Sequence, residues 1–405
     1  MTHSWLDSPV HHAWLATEAL RLLDFAKASR LPEGFGNLDD EGRLPRCAIA
    51  ETLNTARMTH SFALAHIQGV PGCLGLVEHG VAALQGPLRD ADFGGWFSHP
   101  QGQRGSDKAA YLHAFVALAA SSAVVAGVSD AQALLDAAIE IIEQRFWREE
   151  EGALGETYAR DWQQPEAYRG ANSNMHGVEA FLALADVTGN RLWLERAQRI
   201  VDRLILSQPA TDGLRVIEHF DRHWQALPDY NCDNPADGFR PYGTTPGHAF
   251  EWARLLLHLE AARQQADLPV PKGLVSAAKG LFGSACRHAW QVDGAPGLVY
   301  TLDWCNRPVV RERLHWVHAE ACATAAALLR RTGEAQYERW YRCFWDFIGE
   351  HFIDRAHGGW HHELDPANRP SARIWGGKPD LYHAYQALLL PRLPLAPSLA
   401  TALAL

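Results

Sequence analysis

Apolar positions recur along this chain with a 3.6-residue period, in paired stretches, and seldom alternate with polar ones. Val178, Phe181, Leu182 and Leu184 form one stripe, and Leu192, Leu194, Ala197, Ile200, Val201 and Leu204 a second, with Thr188-Gly189-Asn190 between them. The arrangement returns as Ala319, Cys322, Ala326 and Leu329, then Thr332-Gly333-Glu334, then Tyr337, Tyr341, Phe344, Phe347 and Ile348. Glycine after threonine suits a helix C-terminus, where the left-handed conformation is least costly for glycine. The pattern predicts about twelve helices, over 6–29, 47–69, 72–87, 106–128, 130–148, 172–188, 190–207, 246–265, 270–289, 311–332, 334–353 and 379–391. Alternating β-branched runs are scarce, limited to pieces such as Leu214-Arg215-Val216-Ile217-Glu218-His219.

Six glycine-containing loops punctuate the helices: Asp40-Glu41-Gly42-Arg43-Leu44, Phe93-Gly94-Gly95-Trp96-Phe97, Glu151-Gly152-Ala153-Leu154-Gly155, Thr211-Asp212-Gly213-Leu214, Ala295-Pro296-Gly297-Leu298 and His357-Gly358-Gly359-Trp360-His361. A repeat of this kind, one helical hairpin of about sixty residues, is a fold signature. Six hairpins close most simply into an all-α (α/α)6 barrel, with inner helices forming a ring and the longer loops gathered at one mouth. An open solenoid is the alternative, but the terminal repeats show no capping character. The closed ring makes residues 1–405 one domain, although a length of 405 residues at about 150 per domain suggests two or three.

Composition removes several functions. Lys and Arg number 37 against 47 Asp and Glu, a net charge of −10, so the surface repels phosphate backbones and nucleic acid is not an expected partner. The start of the sequence, Met-Thr-His-Ser-Trp-Leu-Asp-Ser-Pro, has no basic region leading into an apolar stretch, so no secretory signal is expected. The seven cysteines are scattered without a C-x-x-C pair, which points to reduced, mostly buried thiols in a cytoplasmic protein. Ala109 to Ser129 carries no formal charge, yet it is dominated by Ala, Ser and Gly and includes Tyr111 and His113. A core helix, not a membrane span, is expected there.

Histidine (21) and tryptophan (15) are plentiful. Asn172-Ser173-Asn174-Met175-His176-Gly177-Val178-Glu179 and Pro246-Gly247-His248-Ala249-Phe250-Glu251 each open a predicted inner helix and each contain H-x-x-E, which places both side chains on one helix face. Near a helix start the dipole disfavours imidazolium, while a carboxylate such as Glu251 beside His248 favours it and fixes the tautomer. A histidine balanced in this way suits general-base chemistry. Lys378-Pro379-Asp380-Leu381-Tyr382-His383 opens the last helix and places His383 comparably. A metal site is the competing reading, from the two H-x-x-E pairs plus His361-His362-Glu363, but no H-E-x-x-H is present and no metal or other cofactor is expected. P-loop, G-x-G-x-x-G and G-x-S-x-G motifs are absent. For a glycosidase, Asp221, Asp303 and Glu320 are candidate carboxylates, with nothing to single out a working pair.

These motifs, with Arg57, Glu218-His219-Phe220-Asp221, Phe239-Arg240-Pro241-Tyr242-Gly243-Thr244-Thr245, Trp252 and Trp360-His361-His362-Glu363-Leu364-Asp365, resemble the N-acylglucosamine 2-epimerase superfamily across the whole chain. Within it the likeness is greatest to the mannose isomerases and their sulfoquinovose isomerase relatives. The resemblance implies an (α/α)6 barrel and a metal-free aldose–ketose isomerisation of an unprotected monosaccharide through a cis-enediol(ate). D-mannose and D-fructose are the expected pair, with D-lyxose as a further aldose. It implies His248 and His383 as the acid/base pair, His176 at ring opening or the ring oxygen, and Arg57 on the developing enediolate oxygen. Asn172, Glu251 and Glu320 would hydrogen-bond sugar hydroxyls, while Tyr111 and Trp316 shape the pocket. Cellobiose 2-epimerases usually carry tryptophan five residues before the last histidine; here Lys378 stands there, which argues against a disaccharide epimerase. Glu51, with Thr52 and Asn54, stands where a sulfonate would be gripped, and its charge favours a neutral sugar. A sulfoquinovose isomerase or sugar 2-epimerase is the alternative, ahead of a non-catalytic sugar-binding toroid. Oligomeric state stays open, a homo-oligomer included.

Overall fold

The computed structural model describes residues 4–207 and 214–405; Thr211-Asp212-Gly213 of the fourth glycine loop lies outside the described residues. Thirteen α-helices are described: α1 (Pro9–Ala26), α2 (Thr52–Ile67), α3 (Leu74–Gln85), α4 (Ala110–Val125), α5 (Ala131–Ile141), α6 (Ala171–Thr188), α7 (Leu192–Val201), α8 (Pro246–Gln265), α9 (Leu274–Ala289), α10 (His315–Thr332), α11 (Ala335–Phe347), α12 (Tyr382–Leu389) and α13 (Leu399–Ala404). Each of the first twelve falls within one residue of a range read from sequence or inside it. The short α13 had no sequence-level signal.

The helices form an (α/α)6 barrel. α2, α4, α6, α8, α10 and α12 pack side by side in a ring that closes where α12 meets α2. α3, α5, α7, α9 and α11 pack outside their preceding inner helices, and α1 is the outer partner of α12. The sixth hairpin is thus assembled from the two ends of the chain. Inner helices are buried almost all round, α4 from Ala110 to Ala123 mostly with apolar residues and α8 with His248, Glu251 and Arg254 among its buried positions, whereas α7 and α11 bury one stripe. α4 lies between α2 and α6, and among the described residues no helix is long and apolar enough to cross a membrane.

Gly189 and Gly333 end α6 and α10 at φ 66° and 69°, the left-handed caps expected after Thr188 and Thr332. Several predicted helices are shorter at their starts because the chain enters each inner helix extended. Those entries are knitted into the rim of one mouth by backbone hydrogen bonds from one repeat to the next. Thr52 N–H donates to Ser98 O, Ala110 to Glu156, Ala171 to Glu218, Thr244 to Leu302, His315 to His362 and Lys378 to Leu38, at 2.8–3.1 Å. The last of these links closes the circle. Tyr168–Gly170 pairs antiparallel with His219–Asp221 in the same manner, so the β-like piece read over Leu214 to His219 is strand only at its last residue.

Two loops of this rim are built alike. Asp90 precedes Gly94-Gly95-Trp96 and Asp354 precedes Gly358-Gly359-Trp360 at the same spacing, each aspartate receiving a buried lysine, Lys108 or Lys378. The cysteines are free, but only Cys73, Cys286 and Cys322 are buried; Cys47, Cys232 and Cys305 are exposed on loops, so the expectation of mostly buried thiols is only half met.

Candidate active site

The first turns of the six inner helices face one cavity. It is a concave pocket that opens at the mouth of the barrel, the usual form of a small-molecule site. Arg57 comes from α2, Tyr111 from α4, Asn172 and His176 from α6, His248 and Glu251 from α8, Trp316 from α10 and His383 from α12, and all of them line it. Glu320 lies just behind, bonded to His383. Every site residue expected from sequence is therefore brought to this end of the barrel. Because the inner helices begin here, their positive dipole ends point toward the cavity and favour developing negative charge.

Each of the three histidines commits Nδ1 to a carboxylate. His383 Nδ1–H donates to Glu320 Oε1 (2.9 Å) and His248 Nδ1–H to Glu218 Oε2 (3.0 Å). His176 Nδ1 lies 3.4 Å from Glu179 Oε2. A carboxylate only accepts, so the proton sits on Nδ1 and the Nε2 lone pair is left for the cavity. Trp316 lies between the first two imidazoles, its centroid 5.2 Å from His248 and 5.7 Å from His383. Gly247 is required here: a Cβ on it would come within 2.4 Å of the Trp316 ring.

Burial pushes His383 below the ordinary imidazole value, with Glu320 opposing. Burial takes His176 down to about 4 against Glu179. Both are neutral at neutral pH and able to accept a proton. Glu320 is held ionised: burial alone would raise it, but Arg254 and His383 together outweigh burial. Arg254 Nε donates to Glu320 Oε2 at 2.9 Å, so the guanidinium supports His383 through Glu320.

Arg57 donates from Nη1 to Asp380 Oδ2 and from Nη2 to the Tyr111 hydroxyl, both at 2.8 Å, and its carbon lies 4.5 Å from the Phe115 centroid. Among the described residues its Nε has no partner, nor has Asn172 Oδ1, nor either oxygen of Glu251. Buried polar atoms left open on a cavity wall are what a polyhydroxylated ligand satisfies.

The structure corrects four details of the sequence reading. The H-x-x-E of α8 is not a working pair: Glu251 turns toward His176 and Arg254, at 3.7 Å from each, and His248 is served by Glu218 from the preceding rim segment. Asp221 and Asp303 are half-buried turn-formers that accept backbone N–H groups of His223 and Gln225, and of Cys305 and Arg307, outside the cavity. His361-His362-Glu363 does not converge either. His362 stacks on His315 at 3.8 Å, while Glu363 caps the N–H groups of Arg373, Ile374 and Trp375. Finally, Lys378 is buried on Asp354 and does not line the cavity, so its identity says nothing about what is held there; Trp375 and Phe239, packed edge to face, are among the aromatics that do line it. Of the three residues near Arg57, Glu51 and Asn54 face the cavity, whereas Thr52 is buried against Phe97 O.

Residues able to hold a cation form two groups, His176 with Glu179 and Glu251, and Glu251 with Glu320 and His383. Arg254 lies against all three carboxylates of these groups, so a protein cation already stands there. Arg254 and Glu218 were missed from sequence. Arg254 could have been found as the residue three after Glu251 on the same face, while Glu218 stood in a stretch that carried the family resemblance but was given no role.

Comparison with known proteins decides the family. The profile of the N-acylglucosamine 2-epimerase (GlcNAc 2-epimerase) family matches residues 34–387. The chain belongs to that family. It is 65% identical to D-mannose isomerase of Pseudomonas cannabina pv. alisalensis, over 99% of this chain and 97% of that one. It is 52% identical to D-mannose isomerase of Thermobifida fusca, over 99% and 98% of the two chains. A crystal structure of D-mannose isomerase superposes with a TM-score of 0.87 at 27% identity, covering 95% of this chain and 99% of the other.

Proposed function

We propose that this family member is an aldose–ketose isomerase that interconverts D-mannose and D-fructose, with the whole chain acting as one catalytic unit. The observation that carries the reading is the pair His248 and His383. They are presented by α8 and α12 on either side of Trp316, each fixed through Nδ1 by a buried carboxylate. Two imidazoles so oriented, each with Nε2 left toward the cavity, suit removal of the C2 proton from an opened aldose and its return at C1. Arg57, held by Asp380 and Tyr111, supplies fixed positive charge for the enediolate oxygen. His176, edge-on to Tyr111 at 5.0 Å and neutral, is placed to assist ring opening. The high identity to two D-mannose isomerases along their full length supports mannose as the aldose.

The test is incubation with D-mannose in excess EDTA, with products separated by chromatography. Fructose as the main product is the expected result. Glucose as the main product would move the assignment to 2-epimerisation, and no product would refute mannose as the substrate.

A further inference from the structure

Glu179, Glu251 and Glu320 converge on one guanidinium, that of Arg254, and they are served unequally. Glu320 receives Arg254 Nε and His383 Nδ1, each at 2.9 Å. Glu179 receives His176 Nδ1 and Gln386 Nε2, each at 3.4 Å, and the Tyr382 hydroxyl. Glu251 is 1% exposed and, among the described residues, neither Oε1 nor Oε2 has a hydrogen-bond partner. The donors facing it, His176 Nδ1 from α6 and Arg254 Nη2 from its own helix, stand 3.7 Å from Oε1. An ionised carboxylate there would lose its hydration with no donor in exchange. Burial, then the charges of Glu320 and Glu179, hold its proton on well above the usual carboxylate range, against Arg254 and Arg57. Glu251 is therefore a neutral acid, with one O–H to give and one open oxygen to accept. It lines the cavity, with a carboxylate oxygen within 4.8 Å of a His383 ring nitrogen.

The isomerisation proposed above, on which this inference rests, moves two protons. One passes from C2 to C1. The other must leave the C2 hydroxyl and reach O1, because the aldehyde becomes an alcohol as the alcohol becomes a ketone. We propose that Glu251 is the relay for this second proton, giving its acidic hydrogen to O1 while its other oxygen takes the hydrogen of O2. The O2–H bond breaks and an O1–H bond forms. The C1–O1 bond loses its double-bond character as C2–O2 gains it, and the electron pair of the broken C2–H bond ends in the new C1–H bond. Glu251 begins and ends as an acid, its proton on the opposite oxygen. Since neither oxygen has a protein partner, both forms are equally accommodated.

The proposal separates two reactions that share one intermediate. Exchange of the C2 hydrogen with solvent needs only the histidines and an enediolate held by Arg57, whereas fructose formation also needs the hydroxyl relay. The experiment follows D-mannose in D2O by proton NMR with wild type and Glu251→Gln, reading fructose formation and loss of the mannose C2 proton together. The expected result is fructose formation falling about 100-fold, C2 exchange falling less than about tenfold, and KM little changed. Glu251→Leu gives the same change in ratio should the glutamine variant fail to fold, since an apolar side chain of similar size suits a pocket without partners. Glu251→Asp, which keeps the acid, returns the ratio to within about threefold of wild type. Both rates falling in step, or neither falling, would overturn the relay. Wild type that neither makes fructose nor exchanges the C2 hydrogen would refute the isomerase reading itself, and the relay with it.

Discussion

Lys108 with Asp90 and Lys378 with Asp354, beneath the two Gly-Gly-Trp loops, are as deeply buried as the charged residues of the cavity floor, yet the two regions use hydrogen bonds differently. Asp90 accepts from Lys108, from both ends of the Arg160 fork and from the N–H groups of Asp92 and Phe93. Asp354 accepts from Lys378 and from the N–H groups of Ala356 and His357. In both loops the carboxylate is saturated. The cavity wall instead leaves Glu251, Asn172 Oδ1, Arg57 Nε and His315 Nε2 without partners. Both regions meet the cost of burying charge, but only the closed one does so within the protein. The open one reserves donors and acceptors for something that enters.

The difference can be probed from the open side first. His248→Ala or His383→Ala is expected to lower kcat by about 10³-fold or more while the melting temperature stays nearly unchanged, measured by steady-state kinetics and calorimetry. A large loss of stability without loss of turnover would place these histidines with the structural pairs. Glu320→Gln is expected to lower kcat by about 10- to 100-fold and to change its pH dependence. Glu320 raises His383 against burial, so its removal lowers that imidazole further and moves the acid limb of kcat/KM to lower pH. From the closed side, Lys378→Met leaves Asp354 uncompensated and should cost about 3–5 kcal/mol, about 4–6 °C in melting temperature for a chain this long, with kcat of the folded enzyme unchanged. Asp354 is held well below the ordinary 3.8, burial being outweighed by Lys378 and the backbone donors. Its stabilisation is therefore full above that value and is lost as pH falls toward the folded one. The wild-type melting temperature accordingly falls more steeply with acid than that of Lys378→Met.

The helical hairpins were legible because an inner–outer helix pair writes its packing as a 3.6-residue period, and Thr188-Gly189 and Thr332-Gly333 mark where the chain turns back. His176, His248 and His383 were legible because each follows the start of an inner helix at a short, similar distance. Partners across the ring were not. Glu218 lies thirty residues before His248 and reaches it only because its carbonyl is pinned to the N–H of Ala171 in the rim. Glu251 looked like the partner because three-residue spacing on a helix is the nearest relation a sequence can display, but the crowding of three carboxylates around Arg254 turns it away. The rim links themselves occupy one to three residues each, too short to leave a clear alternation.

The central claim is that His248 and His383 move a proton between C2 and C1 through an enediol(ate), and the most direct measurement is D-mannose in D2O with excess EDTA, followed by proton NMR. The account predicts fructose carrying deuterium at C1, and recovered mannose carrying deuterium at C2. Fructose formed with no deuterium at C1, and recovered mannose with none at C2, as a direct hydride shift between the two carbons requires, would contradict it.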